Sequence, residues 1–208
     1  MTTISTPQLR PADQRRRIAR LRLFFTLALI PVIWGVPIWH QNGLALALMR
    51  CAGTLGIFIA VLGRFWAILY IGGRKNAQVM QEGPYSICRH PLYLFSTVGA
   101  ASFGLLLGSL LLTAAFGFGA YAILTATARR EEDYLRRLFG QAYRDYAARV
   151  PRILPRPGLF QAGCGLQLDL QSLRRNLADA LVFIAALPVS EAIRLMHEGG
   201  MAQGFRLF

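Results

Sequence analysis

Two clusters of polar and charged residues stand where long apolar runs begin and end. The first runs from Gly83 to Tyr93 (Gly-Pro-Tyr-Ser-Ile-Cys-Arg-His-Pro-Leu-Tyr), and the second, Arg-Arg-Glu-Glu, occupies residues 129–132. Ionisable residues at the ends of membrane-embedded helices commonly mark functional sites. A helix start beside carboxylates and aromatic rings suits a zwitterionic ligand that carries a sugar diol. The pattern predicts one composite site built from both clusters.

The composition indicates a membrane protein. Of 208 residues, 54% are hydrophobic and only 16% are charged, and the mean hydropathy is +0.40. Soluble domains carry about a quarter charged residues. The formal net charge is +13, and the basic residues flank the apolar runs, as topology determinants and contacts to anionic lipids do. Membrane lipids are therefore the expected partners, and nucleic acid is not.

The apolar runs predict an all-α, polytopic integral membrane protein with four or five transmembrane helices. Basic residues mark the N-terminus, the connector 71–92 and the segment 129–156. The positive-inside rule therefore places all three, and a cofactor pocket built from them, on the cytoplasmic side of an inner or plasma membrane. Each predicted span is long enough to cross most or all of a bilayer; they cover about residues 21–40, 44–70, 93–108 and 110–128.

The tail is harder to place. Residues 173–198 predict an amphipathic helix interrupted at Pro188, and we favour a helix lying in the membrane interface over a fifth span. The expected organisation is a basic cytoplasmic N-terminus (1–20), a transmembrane catalytic domain (21–156) and a C-terminal extension (157–208).

Several kinds of chemistry have no motif here. The chain contains no glycine-rich nucleotide loop, no H-E-x-x-H and no G-x-S-x-G. Its three cysteines form no C-x-x-C pair and no metal-ligand spacing, so we expect neither a disulfide framework nor a metal site. Cys88 lies inside the first cluster, where a small buried thiol is the favoured interpretation and a reactive one the alternative.

The motif G-P-Y-S-x-x-R-H-P-L-Y is followed by a small-residue hairpin and then by R-E-E-D-Y-L-R-R-L-F-G-Q-A-Y-R-D-Y-A-A-R-V-P. Over about residues 44–156 this pattern resembles the isoprenylcysteine carboxyl methyltransferase family, and the phospholipid methyltransferases share a looser version of it. The resemblance implies an integral membrane methyltransferase that uses S-adenosylmethionine. It also implies the cofactor-binding residues, which are Ala77, Gln78, Val79, Met80, Tyr85, His90, Pro91, Leu92, Tyr93 and Glu131.

The acceptor is expected to be a lipophilic small molecule, a lipid or a lipidated substrate, because the site lies at membrane depth. A carboxylate acceptor would benefit from a cationic clamp such as Arg129 or Arg149, whereas an amine would need a base such as Glu132. Family enzymes that act on prenylcysteine have an arginine one turn before the cofactor-contacting glutamate, where this chain has Thr127. The sequence leaves the acceptor and the oligomeric state open.

Two other interpretations remain. One is an NADPH-dependent membrane reductase of lipids on a similar helical scaffold. The other is a non-enzymatic membrane protein, in which Arg-His-Pro merely starts a helix and Glu131 and Glu132 pair with Arg129 or Arg136 at the surface.

Overall fold

The computed structural model describes residues 43–71, 78–163 and 170–198, together with four isolated helical positions, Ala19, Leu23, Thr26 and Val32. The described residues form an all-helical fold without a β-strand, which confirms the predicted class. Most of the first predicted span, 21–40, lies outside them. The helices are α1 (Gly43–Ile71), α2 (Pro84–Ile87), α3 (Pro91–Leu106), α4 (Leu110–Phe139), α5 (Gln141–Arg149) and α6 (Leu170–Glu198), with a 3-10 turn at Pro157–Leu159.

Helices α1 and α4 are long and apolar enough to cross a membrane, and α3 is a shorter apolar helix. With 29 residues, α1 extends about 43 Å, more than the hydrocarbon thickness of about 30 Å. Only 22% of the apolar window of each long helix is buried inside the protein. Large side chains such as Leu55, Phe58 and Leu62 are more than half exposed on α1. An apolar surface of this extent is suited to lipid.

A tight turn at Gly108-Ser109 joins α3 and α4, between the predicted spans 93–108 and 110–128. Gly108 adopts a positive φ of 72°, and Ser109 caps α4 by accepting a hydrogen bond from the amide of Leu112 at 3.1 Å. A Cβ at Gly104 would lie 2.3 Å from the backbone nitrogen of Thr113. The two helices therefore pack at backbone contact, which returns the end of α4 toward the start of α3.

Helix α4 does not stop where its apolar run ends near residue 128. It continues through the second polar cluster to Phe139 and ends at Gly140, whose φ is 57°. The sequence predicted a span that ends near residue 128, but the backbone continues the same helix through the charged residues that follow. Because the helix is continuous, the apolar part fixes which face each residue of the cluster presents.

Helix α6 is continuous through Pro188, where the sequence predicted an interruption. It packs along α1 and α3: the ring of Phe183 lies against Gly99, and Ala186 and Leu187 pack on a cluster that contains Ile57. The helix therefore lies beside two apolar helices of the bundle.

Candidate active site

The first polar cluster folds as a tight turn before α3. Gly83 has a positive φ of 57°, and its Cα faces the ring of Tyr70 so closely that a Cβ would lie 2.4 Å from it. Pro84 then begins α2 with its fixed φ. The hydroxyl of Ser86 donates to the carbonyl of Gly83 at 2.6 Å and accepts from the amide of Gln161 at 3.0 Å. This turn orients Tyr85 and the residues that follow.

Residues 150–161, which we call the strap, run along this turn and hold it by backbone hydrogen bonds. The amide of Arg89 donates to the carbonyl of Pro151 at 2.9 Å, and that of His90 donates to the carbonyl of Arg152 at 3.0 Å. Further bonds join Arg156 to Ile87 and Gly83 to Gln161. Since these amides and carbonyls are satisfied by each other, the strap and the first cluster form one unit.

His90, Tyr93 and Glu131 meet where α3 begins and where the apolar part of α4 ends. The phenol of Tyr93 donates to Glu131 Oε2 at 2.9 Å, and His90 Nδ1 lies 3.8 Å from the same oxygen. The two rings stack with centroids 5.2 Å apart and planes inclined by 6°. Both rings are largely buried, but the Glu131 side chain is 28% exposed. The Glu131 carboxylate is therefore partly open to solvent and lies beside the stacked rings of His90 and Tyr93.

Glu132, the next residue, is fully buried and is the centre of an ion-pair network. Arg152 binds it with both Nε and Nη2, at 2.8 and 2.9 Å. Arg89 donates Nε and Nη2 to Oε1 at 3.1 and 2.9 Å, and Arg136 donates to Oε2 at 3.2 Å. His90 Nε2 lies 3.4 Å from Oε1. One carboxylate therefore joins α4 to the first cluster and the strap.

This network argues against Glu132 as the general base that an amine acceptor would need. Burial by itself would raise the pKa of Glu132, but His90, Arg152 and Arg89 together hold that pKa well below its usual range. A base needs a pKa near the operating pH and a lone pair that can reach the acceptor. Glu132 has neither, because its oxygens already accept from three guanidinium groups.

Arg89 also binds two backbone carbonyls where α5 ends and the strap begins. Its Nη1 donates to the carbonyl of Val150 at 2.7 Å and to that of Ala147 at 2.5 Å. Beside it, the phenol of Tyr146 donates to the carbonyl of Tyr85 at 2.7 Å. Burial raises the pKa of Tyr146 and of Tyr143, so both phenols stay protonated. These contacts fix the backbone on which Tyr85 and His90 stand.

A second group of predicted cofactor residues lies against α1. Met80 and Tyr85 are buried with Ala67, and Leu92 packs at the edge of this cluster. Burial raises the pKa of Tyr85, and the charges of Tyr146 and Glu131 add to the rise. Three of the predicted cofactor residues, Met80, Tyr85 and Leu92, therefore pack together beside α1.

Other predicted site residues lie further out. Val79 packs on the cluster of Tyr143 and Tyr146, and Gln78 is exposed, with its amide 3.5 Å from the sulfur of Met80. Arg149 is exposed and binds the side chain of Gln81 at 2.9 Å. Ala77 lies outside the described residues.

Arg129 is exposed at the surface of α4 and forms neither a hydrogen bond nor an ion pair with the described residues.

The first turn of α3 has fewer free backbone N–H groups for binding an anion than its sequence predicted. Pro91 has no N–H, and the amides of Tyr93 and Leu94 already donate to the carbonyl of His90 at 3.0 and 3.1 Å.

Sequence reasoning missed the structural roles of Arg89, Arg152 and Tyr146. A usable signal was present: a carboxylate pair at the end of an apolar helix must bury one member if the helix packs, and a buried carboxylate needs cationic partners. Arg89 and Arg152 are the arginines beside His90 and after Val-Pro in the motifs. Because basic residues near membrane spans also act as topology determinants, the sequence alone did not identify these arginines as partners of a buried carboxylate.

Cys88 is fully buried, and burial raises the pKa of its thiol to about 12. The thiol is therefore protonated at neutral pH, in agreement with the favoured interpretation. Within the described ranges, no group of three or more histidine, cysteine or acidic residues is arranged to hold a metal ion.

The fold and the site together define a helical protein of membrane type whose polar site sits at the ends of its apolar helices. Residues 32–142 match the family model described as phospholipid methyltransferase. The match covers more than half of the chain, which belongs to this family of membrane methyltransferases.

The chain is also similar to three curated proteins. The chain is 33% identical to the cobalt-zinc-cadmium resistance protein CzcN of Cupriavidus metallidurans, over 90% of this chain and 86% of the relative. It is 36% identical to the nickel-cobalt-cadmium resistance protein NccN of Alcaligenes xylosoxydans xylosoxydans, over 87% and 84%. Protein-S-isoprenylcysteine O-methyltransferase B of Arabidopsis thaliana is 30% identical over 47% of this chain and 50% of its own. No solved structure matches the chain.

Proposed function

We propose that this protein transfers a methyl group from S-adenosylmethionine to a lipophilic acceptor in the membrane. The observation that carries the proposal is the meeting of His90, Tyr93 and Glu131 at the ends of two apolar helices. Family membership supplies the reaction class, and the geometry of this chain supplies the residues.

The residues present fit this donor. A sulfonium cation and an ammonium group favour carboxylates and aromatic faces, and a ribose diol favours a carboxylate that can accept two hydrogen bonds. Glu131 is the partly exposed carboxylate, and Tyr93 holds one of its oxygens. Met80 and Tyr85 supply an apolar and aromatic surface against Ala67 of α1. We assign donor binding to these residues and to His90.

When bound, the donor supplies an activated methyl group, so the protein's task is to position two reactants and exclude water. His90 and Tyr93 hold Glu131 in one orientation. Glu132 acts as a positioning residue, because through Arg89 and Arg152 it fixes the strap against the backbone of His90. Arg129 and Arg149 are exposed, and a role as acceptor clamps remains a proposal for them.

We also propose that the site faces the cytoplasm and that α6 is a fifth span. The side-by-side packing of α6 on α1 and α3 supports the span, because a helix in the interface plane would cross these helices at a steep angle. The site residues lie among the basic segments that the positive-inside rule assigns to the cytoplasm. A reporter enzyme fused after Phe208 tests this, since five spans put it outside the cytoplasm.

Two relatives are named for resistance to cobalt, cadmium and either zinc or nickel. We propose that methylation by this protein contributes to such resistance by changing a membrane component. A deletion strain that carries the wild-type protein should grow at higher cadmium and cobalt concentrations than one that carries Glu131→Ala. Asp133→Ala, an exposed neighbour of the same charge, is the matched control. Equal growth of all three strains would contradict the link to resistance.

The reaction itself is tested by adding the purified protein and methyl-labelled S-adenosylmethionine to native membranes and then extracting the lipids. Label in the organic phase that depends on Glu131 supports a lipophilic acceptor. Label confined to the aqueous phase would contradict one.

A further inference from the structure

Arg64 is a buried cation on α1, well inside the apolar part of the bundle. The residue is 8% exposed. Its Nη1 donates to the hydroxyl of Ser96 on α3 at 2.6 Å, and that hydroxyl donates to the carbonyl of Leu92 at 2.7 Å. The guanidinium carbon lies 5.7 Å from the ring centroid of Phe183 on α6. Three helices therefore fix one guanidinium group.

The position of Arg64 relates it to the donor residues. Arg64 comes one helical turn before Ala67, which packs with Met80 and Tyr85. On α3, Ser96 comes one turn after Leu92, which packs at the edge of the same cluster. Arg64 therefore lies about one turn, or about 5 Å, farther from the end of the bundle than these donor residues. A membrane acceptor would approach the donor from that side.

Placing a charge at this depth is costly, and intramembrane arginines usually serve a ligand or an ion pathway. A guanidinium group presents five N–H donors in a planar fork that matches the oxyanions of carboxylates and phosphates. Ser96 and Phe183 bind the group from two sides and so limit its rotamers.

We propose that Arg64 binds the oxyanion of the lipophilic acceptor, a carboxylate or a phosphate, and thereby sets acceptor specificity. This inference rests on the proposed methyltransferase function and names the acceptor class of the same site. The competing role is structural: Arg64 would only hold α6 against α1 and α3, and its loss would destabilise the bundle without altering the response to any amphiphile.

Amphiphiles that share one chain and differ in headgroup separate the two roles. Thermal unfolding of the purified protein in a non-ionic detergent is measured with dodecyl phosphate, laurate or dodecanol. A ligand that binds the folded state raises the midpoint of unfolding. We expect dodecyl phosphate or laurate to raise it by about 3 °C more than dodecanol does. The difference between the two anions identifies the preferred oxyanion.

Arg64→Met should abolish this headgroup dependence, and Arg137→Met, which removes an exposed arginine of α4, should preserve it. An anion effect that is equal in wild type and Arg64→Met, or missing in the wild type, overturns the proposal. If Arg64→Met does not fold, Ser96→Ala decides, because it keeps the charge and removes the hydroxyl that orients it. A weaker anion effect in Ser96→Ala supports the proposal, and an unchanged one contradicts it.

Calorimetric titration with S-adenosylmethionine separates this inference from the function on which it rests. We expect Arg64→Met to bind the donor within about twofold of wild type, since Arg64 lies beyond the donor residues. A wild type that binds no donor refutes the methyltransferase function. Normal donor binding without a headgroup effect refutes only the role of Arg64.

Discussion

The phenol of Tyr93 donates a hydrogen bond of 2.9 Å to Glu131 Oε2, across the space between α3 and α4. The two residues are 38 positions apart in the chain. Their contact depends on the hairpin, since the turn at Gly108 brings the charged end of α4 back to the start of α3. The bond orients the one carboxylate of the pair that is partly exposed, so it links the fold directly to the candidate donor site.

Tyr93→Phe should weaken donor binding without unfolding the protein. The change removes one hydrogen bond to a charged group and keeps the ring that stacks on His90, so we expect an affinity loss of about five- to tenfold. Titration calorimetry with S-adenosylmethionine measures it. Tyr121→Phe, at an exposed position of α4, is the matched control. Equal affinities in both variants would show that the Tyr93 hydroxyl does not orient the donor site.

Glu132→Ala should destabilise the protein strongly. It leaves Arg89 and Arg152 without their shared carboxylate, and breaking a buried ion pair costs about 3–5 kcal/mol. Asp133→Ala removes an exposed pair with Arg136 and should cost less than about 1 kcal/mol. Chemical denaturation in detergent compares the two. Similar losses would mean that the network around Glu132 contributes little to stability.

The stabilisation from Glu132 should depend on pH in one direction. Its folded-state pKa is lowered, so the unfolded chain binds the proton more tightly. The contribution is therefore complete above the ordinary glutamate pKa of about 4.3 and is lost as the pH falls below it. The difference in unfolding free energy between wild type and Glu132→Gln should stay constant from about pH 7 to pH 5 and shrink under more acid conditions. If the difference in unfolding free energy instead grew as the pH fell, the stabilisation could not come from an ionised Glu132.

Cys88 should resist alkylation in the folded protein. Its thiol is buried with a pKa raised to about 12, so almost no thiolate is present at neutral pH. In a protein that keeps Cys88 but carries Cys51→Ser and Cys164→Ser, N-ethylmaleimide labelling should occur only after denaturation. Rapid labelling of the native protein would mean that the thiol is accessible and ionised.

Much of the fold could be predicted from the apolar runs and from the turn residues between them. The apolar run 44–70 predicted α1 to within a residue at each end, and Gly108-Ser109 marked the turn between α3 and α4. The prediction of an interruption at Pro188 was wrong. A proline there removes one backbone hydrogen bond of α6, but the packing of α6 on α1 and α3 offsets that cost. Hydropathy alone cannot weigh that packing.

The sequence predicted that the two polar clusters would meet, but it did not predict which of their residues pair with each other. The sequence pointed to Glu131 and Glu132 as neighbours with different roles, and adjacent helix positions differ in direction by about 100°. Which of the two is buried depends on the roll of α4 against the strap, a tertiary contact between residues 132 and 152. For that reason the sequence offered Glu132 as the base for an amine acceptor, whereas the structure has it in an ion-pair network.

Binding of S-adenosylmethionine by the purified protein, measured by calorimetry, tests the central claim most directly. The wild type should bind the donor and its demethylated product with micromolar affinity. His90→Ala and Glu131→Ala should each weaken binding by at least about tenfold, or about 1.4 kcal/mol, and Asp133→Ala should not. A folded wild type that binds neither compound, or equal affinity in all four proteins, would contradict the account.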